Sequence, residues 1–472
     1  AHPTNPDVAW VAALGNLWAP SADRGVFKTT DGGRTWEKVL YVDTLTGAVD
    51  VVIDPADPNT LFAATYQRMR QPWGFSGGGP GSGLHKSTDG GRTWRPITRG
   101  LPPGEKGRIG IAISRSNPRV MNVIVESEPS TQGVYRSEDG GESWAKMSNL
   151  NPRPSYYSNI FIDPLNDQRV YVMSGSDRSE DGGRTWSEFG AAPTYDVGVH
   201  SDHHALWIDP RDTKHIFLGN DGGLYETWDR GLHFRKLDQL VVAQFYAIGV
   251  DMRDPYNVYG GTQDTHSWMG PSANRRWTGI MESDWQQIEL GDGMYHQPDP
   301  TGQYVFSNAN NGRLTRVEVA TGDVFTVRPT PRAGEAEYRF EWVTPSLISQ
   351  HDPLSVYFGG NRLFMSHDRG LTWEHTDDLT KSINPASLTI MGVPYSTPSC
   401  SAGGGGGGGG AAQAPPRPRT GPCILSKGDG INSFSQITTI AESPLDRNIL
   451  WVGVDDGNVQ VSRAGGKTWT EV

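Results

Sequence analysis

One eight-residue phrase keeps returning along this chain, and any fold must accommodate it at each return. Ser87 to Trp94 reads STDGGRTW, Thr29 to Trp36 reads TTDGGRTW, Ser137 to Trp144 reads SEDGGESW and Ser179 to Trp186 reads SEDGGRTW. Looser copies stand at Thr227 to Phe234 (TWDRGLHF), Ser366 to Trp373 (SHDRGLTW) and Ser462 to Trp469 (SRAGGKTW). Self-similarity at an interval of some 20 to 50 residues is the signature of stacked modules, a solenoid or a propeller, rather than of one layered domain.

The chemistry of the phrase explains its recurrence without a catalytic role. A short acidic side chain accepts hydrogen bonds from the amides of its own loop, a glycine two residues on supplies a positive φ, and the Trp offers a large apolar plate for burial. Asp31, Asp89, Asp139, Asp181, Asp229 and Asp368 are therefore read as turn braces. Trp36, Trp94, Trp144, Trp186, Trp373 and Trp469 are read as anchors between neighbouring modules. The phrase resembles the Asp-box, or BNR, repeat of sialidases, xyloglucanases and the luminal domain of sortilin, and that resemblance implies a β-propeller.

A second repeat runs between these turns. A D-P-x-x-P-like turn followed by an apolar run recurs, as in IDPADPNTLFAATY from Ile53, IDPLNDQRVYVMSG from Ile162 and ESPLDRNILWVGV from Glu442. The proline turn and the β-branched and aromatic run that follows make two strands, and the Asp turn joins the next two. Four strands per unit is one propeller blade. About nine units are legible, the first lacking its inner strand, and two between Trp228 and Trp342 lack the Asp turn, one of them using a Thr-Gly hairpin within Arg313 to Val327. With 59 Gly, 33 Pro and no long apolar run at helical spacing, almost no helix is expected. The expectation is an all-β fold, a many-bladed propeller of about nine or ten four-stranded blades, as one domain over residues 1–472. The chain opens at Ala1-His2-Pro3 in the middle of a repeat, so the domain is expected to be incomplete at its N-terminus.

Three segments read as inserts: Gln67 to Gly83, Thr262 to Asp284, and Ser382 to Asn432, whose poly-Gly loop is expected to be flexible. Inserts in a propeller emerge at its rims, where binding surfaces are built. The chain has only two cysteines, Cys400 and Cys423, and they bracket the poly-Gly loop. The preferred reading is a disulfide stapling that loop in an oxidising, extracytoplasmic compartment, and the alternative is two unrelated thiols. A net charge of −11 disfavours a nucleic-acid surface. No apolar stretch reaches the length of a membrane helix.

Beyond its turns the chain resembles the large bacterial sortilin-like BNR-repeat proteins, often labelled glycosyl hydrolases by similarity. The residues that carry this are His200-Ser201-Asp202-His203-His204-Ala205-Leu206-Trp207, Gly219-Asn220-Asp221-Gly222-Gly223, Gln244-Phe245-Tyr246-Ala247, and Tyr259-Gly260-Gly261-Thr262-Gln263-Asp264. The resemblance implies a many-bladed propeller; it does not bring an activity with it.

Two places offer chemistry. His200, Asp202 and His204 have the residue types of a divalent-metal site and would share one face of a strand, with His203 turned away. The alternative is a polar inner strand whose histidines are hydrogen-bonded to neighbours. No other cofactor is expected. The second place is the run Gln263, Asp264, His266, Trp268, Asp284 and Asp292, with Glu282, Trp285 and Glu289 among them, where carboxylates and Trp faces suit a ligand and in particular a sugar. Of the arginine motif of sialidases only Arg108-Ile109-Gly110 has a partial counterpart. The preferred function is a non-catalytic extracytoplasmic propeller, periplasmic or secreted, that binds a protein or peptide. The alternatives are a carbohydrate-active glycoside hydrolase acting on a glycan, and an assembly subunit of a membrane complex.

Overall fold

The computed structural model describes residues 1–173, 177–189, 198–240, 243–400 and 421–472. It is an all-β propeller: eight four-stranded antiparallel sheets and one of three strands, with two small hairpins added. Each four-stranded sheet is one blade, its strands hydrogen-bonded in chain order apart from the hairpin inserted in the second. The three-stranded sheet comes first in the chain, as the missing inner strand predicts. Among the described residues, helix is confined to the single turn Pro154–Tyr157 and two 3-10 turns. The chain falls into two compact units, Ala1–Val241 with Ala386–Ile431, and Val242–Pro385 with Asn432–Val472. The first holds five sheets and the second four.

Period-two patterning builds the core of the first unit. In the second strand of the second blade, Leu61 and Ala63 face back onto Trp10, Val26 and Leu40, while Phe62 and Ala64 face forward onto Ile109, Met121 and Val123. The next blade repeats the logic, with Ile124 facing forward onto Ile160, Val170 and Val172. A strand with apolar side chains on both faces has a sheet on each side, which is why these runs read as continuous rather than alternating. In the second unit Phe306, Val356 and Phe364 form one such seam, and Leu363, Ile437 and Leu450 another.

The recurring turn proves to be a joint between blades. Within one copy, Ser87 Oγ donates to Asp89 Oδ1 at 2.8 Å, the amides of Arg92 and Thr93 donate to the same oxygen at 2.9 Å, and Thr93 Oγ1 donates to Oδ2 at 2.6 Å. The amide of Gly90 reaches the carbonyl of Asn59 in the proline turn at 2.9 Å, so the two sequence repeats brace each other inside this blade. Between blades, Lys28 Nζ of the first sheet donates to the Gly90 carbonyl of the second at 2.8 Å, and Lys86 Nζ donates to the Gly140 carbonyl of the third at 2.8 Å. Trp94, Trp144 and Trp186 pack into the seams behind their own blades, whereas Trp36 is exposed.

The paired glycines of the third blade's turn have different duties. Gly140 and Gly141 both have positive φ, 75° and 81°. A Cβ on Gly140 would meet nothing within 4 Å, whereas one on Gly141 would lie 2.6 Å from Phe62 Cε1 in the preceding blade. Gly140→Ala is expected to cost about 1–2 kcal/mol of backbone strain, and Gly141→Ala about 1–3 kcal/mol more from overpacking. Urea denaturation of the two variants measures the difference.

The same bonds set the acid limit of the fold. The Thr35 hydroxyl, with its amide and the Thr29 hydroxyl, holds Asp31 down to about 2. At Asp181 and Asp368 a burial penalty is outweighed by the equivalent bonds, and both again sit at about 2. A carboxyl whose folded pKa lies below its unfolded value of about 3.9 stabilises above that value and stops doing so as pH falls through the folded pKa. The melting temperature is therefore expected to drop between about pH 4 and pH 2. In Asp31→Asn the drop should be shallower and the starting value lower, as read by circular dichroism.

Two of the three predicted inserts meet in the first unit. Residues 67–83 form the hairpin Met69–Gln71 with Gly74–Ser76, and the later segment adds Thr389–Ile390 with Val393–Pro394. Met69, Ile390, Tyr395 and Ile424 make a small core between them. Cys400 and Cys423 are joined in a disulfide. The poly-Gly stretch, residues 401–420, lies outside the described residues. The third segment is only partly an insert. Ser267–Pro271 is the third strand of its blade, pairing with Asn257–Thr262, and only the long connection that replaces the Asp turn, after Pro271, is extra. Gly270 hid this strand because Trp285 packs where its side chain would be.

Candidate functional site

A concavity of the first unit runs along the inner strands Thr46–Ile53, Ile109–Ile113, Ile160–Asp163 and His203–Ile208, where four blades converge. It encloses about 460 Å³, within the usual range of small-molecule sites. Val49, Val52, Ile111, Ile113, Phe161 and Leu206 line its walls. Arg108, Asn159 and His204 stand at the start of their strands, Asp50 lies on the first strand, and Arg115 and Trp207 lie further along.

One end of this cleft carries a connected polar network, built from residues just before each inner strand and just after each second strand. Arg108 Nη1 donates to the carbonyls of Ser155 (3.0 Å) and Tyr156 (2.8 Å), and its Nη2 donates to Asn159 Oδ1 at 3.1 Å. Asn159 Nδ2 donates to the His204 carbonyl at 3.2 Å. His204 Nε2 lies 3.0 Å from Asp221 Oδ1, and that bond raises the imidazole pKa. The Tyr157 hydroxyl donates to Asp202 Oδ1, and the rings of Tyr157 and His204 are 5.3 Å apart. Carboxylate oxygens of Asp202 and Asp221 lie within 4.8 Å of one another. Burial pushes Asp50 up to about 6, although it accepts the Ile111 amide at 3.1 Å. Burial likewise pushes Glu126 up to about 7; it accepts from the Arg108 amide at 3.0 Å and from Ser426 Oγ of the later insert at 2.5 Å.

The residues expected to hold a metal do not form an alternating set. The strand begins only at His203, and Asp202 before it is left-handed with φ 61°. His200 Nδ1 lies 2.9 Å from the Ser201 carbonyl, Asp202 takes the Tyr157 hydroxyl and His204 takes Asp221, so each member turns to a different partner. His203 points inward, is buried, and is held down to about 4 by that burial.

The run of the second unit separates into two ends of one blade. Gln263, Asp264, His266 and Asp292 gather at one end: the Asp264 amide donates to Asp292 Oδ1 at 3.2 Å and the Gly291 amide to His266 Nδ1 at 3.2 Å. Trp268 Nε1 bonds the Thr265 carbonyl there at 2.6 Å. Glu282 and Asp284 lie past the far end of Ser267–Pro271, where Asp284 accepts the Met281 amide at 2.8 Å and pairs with Arg276. Glu289 is buried against Arg313 (2.7 Å) and Thr315 (2.6 Å) and braces the sheet.

Sequence reading missed Asp50, Glu126, Tyr157, Asn159 and Asp221 as a group, because they are scattered over more than 170 residues. Their common signal is positional: in each four-strand unit the residue before the first strand and the residue after the second fall on one rim. That rule collects Arg108, Glu126, Asn159, Asp202 and Asp221.

Comparison with known proteins gives three findings. A 168-residue segment is 26% identical to the xyloglucanase Xgh74A of Acetivibrio thermocellus, covering 30% of this chain and 18% of that enzyme. A 171-residue segment is 25% identical to a xyloglucanase of a Paenibacillus species, covering 31% of this chain and 15% of the enzyme. The chain thus matches less than a fifth of the length of these relatives. Among solved structures, the GH74 xyloglucanase of Xanthomonas campestris aligns over 100% of this chain and 76% of its own, at 14% identity and a TM-score of 0.41. No family model matches the chain. Among the described residues no helix is long and apolar enough to cross a membrane.

Proposed function

We propose that this chain is a carbohydrate-active propeller, a glycoside hydrolase of the xyloglucanase kind whose substrate enters the cleft of the first unit. The observation that carries the reading is the 168-residue similarity to a xyloglucanase. The polar network that continues from Asn159 and His204 at one end of the cleft offers two carboxyls for the reaction. Glycoside hydrolysis requires one carboxyl to protonate the leaving oxygen and a second to activate water or attack carbon. Asp202 and Asp221 are the pair we assign, their oxygens within 4.8 Å and each held by an aromatic partner, Tyr157 or His204. Tyr157 and His204 orient the carboxyls, and the exposed Trp207 indole offers a face to a sugar ring.

Incubation with xyloglucan and with a panel of other β-glucans, followed by assay of new reducing ends, tests the reading. Turnover that Asp202→Asn and Asp221→Asn each remove supports it. Absence of turnover and of binding across the panel overturns it and returns the protein-binding propeller to first place.

A further inference from the structure

We propose that the cleft of the first unit receives the carboxylate of an acidic sugar, a uronic-acid residue within a glycan, with Arg108 as its cation. The inference rests on the glycan reading above and sharpens its substrate class from a neutral to an acidic polysaccharide.

Arg108 is positioned without being neutralised. Its terminal nitrogens bond the carbonyls of Ser155 and Tyr156 and the amide oxygen of Asn159, all uncharged acceptors. Among the described residues it has no ion pair. A partly buried guanidinium held in this way keeps its full charge in a medium that screens it weakly, and an entering anion relieves the cost of its desolvation. The planar fork suits a carboxylate better than any neutral sugar hydroxyl.

The groups that face Arg108 are Asp50, Glu126, Tyr66, Arg68 and His204. Arg68 adds a second positive charge, and its buried Nε has no hydrogen-bond partner among the described residues. His204 carries a raised pKa from its bond to Asp221, so it too is more readily cationic. Tyr66 is buried, with its hydroxyl pKa raised well above the ordinary value, and stays neutral. Asp202 and Asp221 act on His204, whereas Asp50 and Glu126 are the carboxyls that act on Arg108 and oppose an anion there, and both of these are shifted upward by burial, to about 6 and about 7. They shed their charge in mild acid, where a uronate with a carboxylate pKa near 4 is still ionised. Further along the same cleft stand Arg115 and the Trp207 indole, so it offers a cation and a stacking face within about 460 Å³. A neutral glucan leaves Arg108 unmatched.

The test is calorimetric titration of the full chain with a xylo-oligosaccharide bearing one glucuronate and with its neutral counterpart. At pH 5 the acidic probe is expected to bind roughly 10–100-fold more tightly, the range for a charged hydrogen-bonded pair. The preference should vanish in Arg108→Gln, survive in weakened form in Arg108→Lys, and decline in the wild type as pH rises from 5 to 8. Asp50→Asn should flatten that decline, a readout that stands even if Arg108→Gln folds poorly. Equal binding of both probes, or a preference indifferent to pH and to Asp50→Asn, overturns the inference and leaves the glycan reading intact. Binding of neither probe, nor of the β-glucan panel, overturns both.

Discussion

Asp221→Asn is expected to lower glycan hydrolysis by about 10²–10⁴-fold, the contribution typical of a positioned acid or base, while the melting temperature stays unchanged. The residue is exposed, and its carboxylate bonds the half-exposed His204 at 3.0 Å. Removing its charge therefore leaves no buried group stranded, which is the usual route to a large stability loss. It does remove the negative charge that raises the His204 pKa. The imidazole titration, followed by NMR, should move down toward the ordinary histidine range in the variant. That second readout separates a chemical role from a structural one. If turnover falls but His204 titrates as before, the loss comes from displacement of the loop rather than from the Asp221–His204 pair. Tyr157→Phe is the companion experiment at Asp202: it removes the hydroxyl that orients the carboxyl without removing the carboxyl. A fall in kcat with little change in KM is expected, because a misaimed acid or base weakens the transition state more than the bound ground state.

The propeller was legible because its information is local. Each Asp turn is closed by bonds within five residues, as the Ser87, Asp89 and Thr93 set shows, and each strand pair follows from a proline turn and an apolar run. The missing inner strand of the first sheet, and the blade that turns on Thr321-Gly322, followed from the same reading. What stayed out of reach was everything that depends on which loops share a rim. His200, Asp202 and His204 look like a ligand set in a strand, but the strand starts one residue after Asp202, and the left-handed backbone there sends the three side chains to different partners. Asp264 and Asp284 look like neighbours in a carboxylate-rich run, but a strand lies between them. Conversely Arg108 and Asn159, fifty-odd positions apart, touch because each directly precedes an inner strand. Glu126 meets Ser426 only because an insert from late in the chain folds over the early one. Periodicity finds the blades, and the equivalence of positions between blades finds the site.

Phe62→Ala is expected to destabilise the first unit by about 3–5 kcal/mol, the cost of deleting a buried phenyl ring. Phe62 is 1% exposed in the seam between the second and third blades. It also lies beneath the turn of the third blade, with Gly141 against its edge and Lys86 Nζ 5.2 Å from its ring centre. The seam and the joint are therefore one structure, and the two should couple. In Gly141→Ala the new methyl collides with the Phe62 ring; in the double variant Phe62→Ala/Gly141→Ala the ring is gone and the methyl has the vacated space. The double variant should be less destabilised than the sum of the singles by about 0.5–3 kcal/mol, the range for residues in contact, with only the left-handed strain at Gly141 left over. Gly140→Ala, whose methyl meets nothing within 4 Å, should add to Phe62→Ala without coupling, because its cost is strain alone. Additivity at Gly141 would mean that the recurring turn closes only its own hairpin. Coupling there and none at Gly140 would mean that the second glycine recurs because each blade's turn must seat on its predecessor's core.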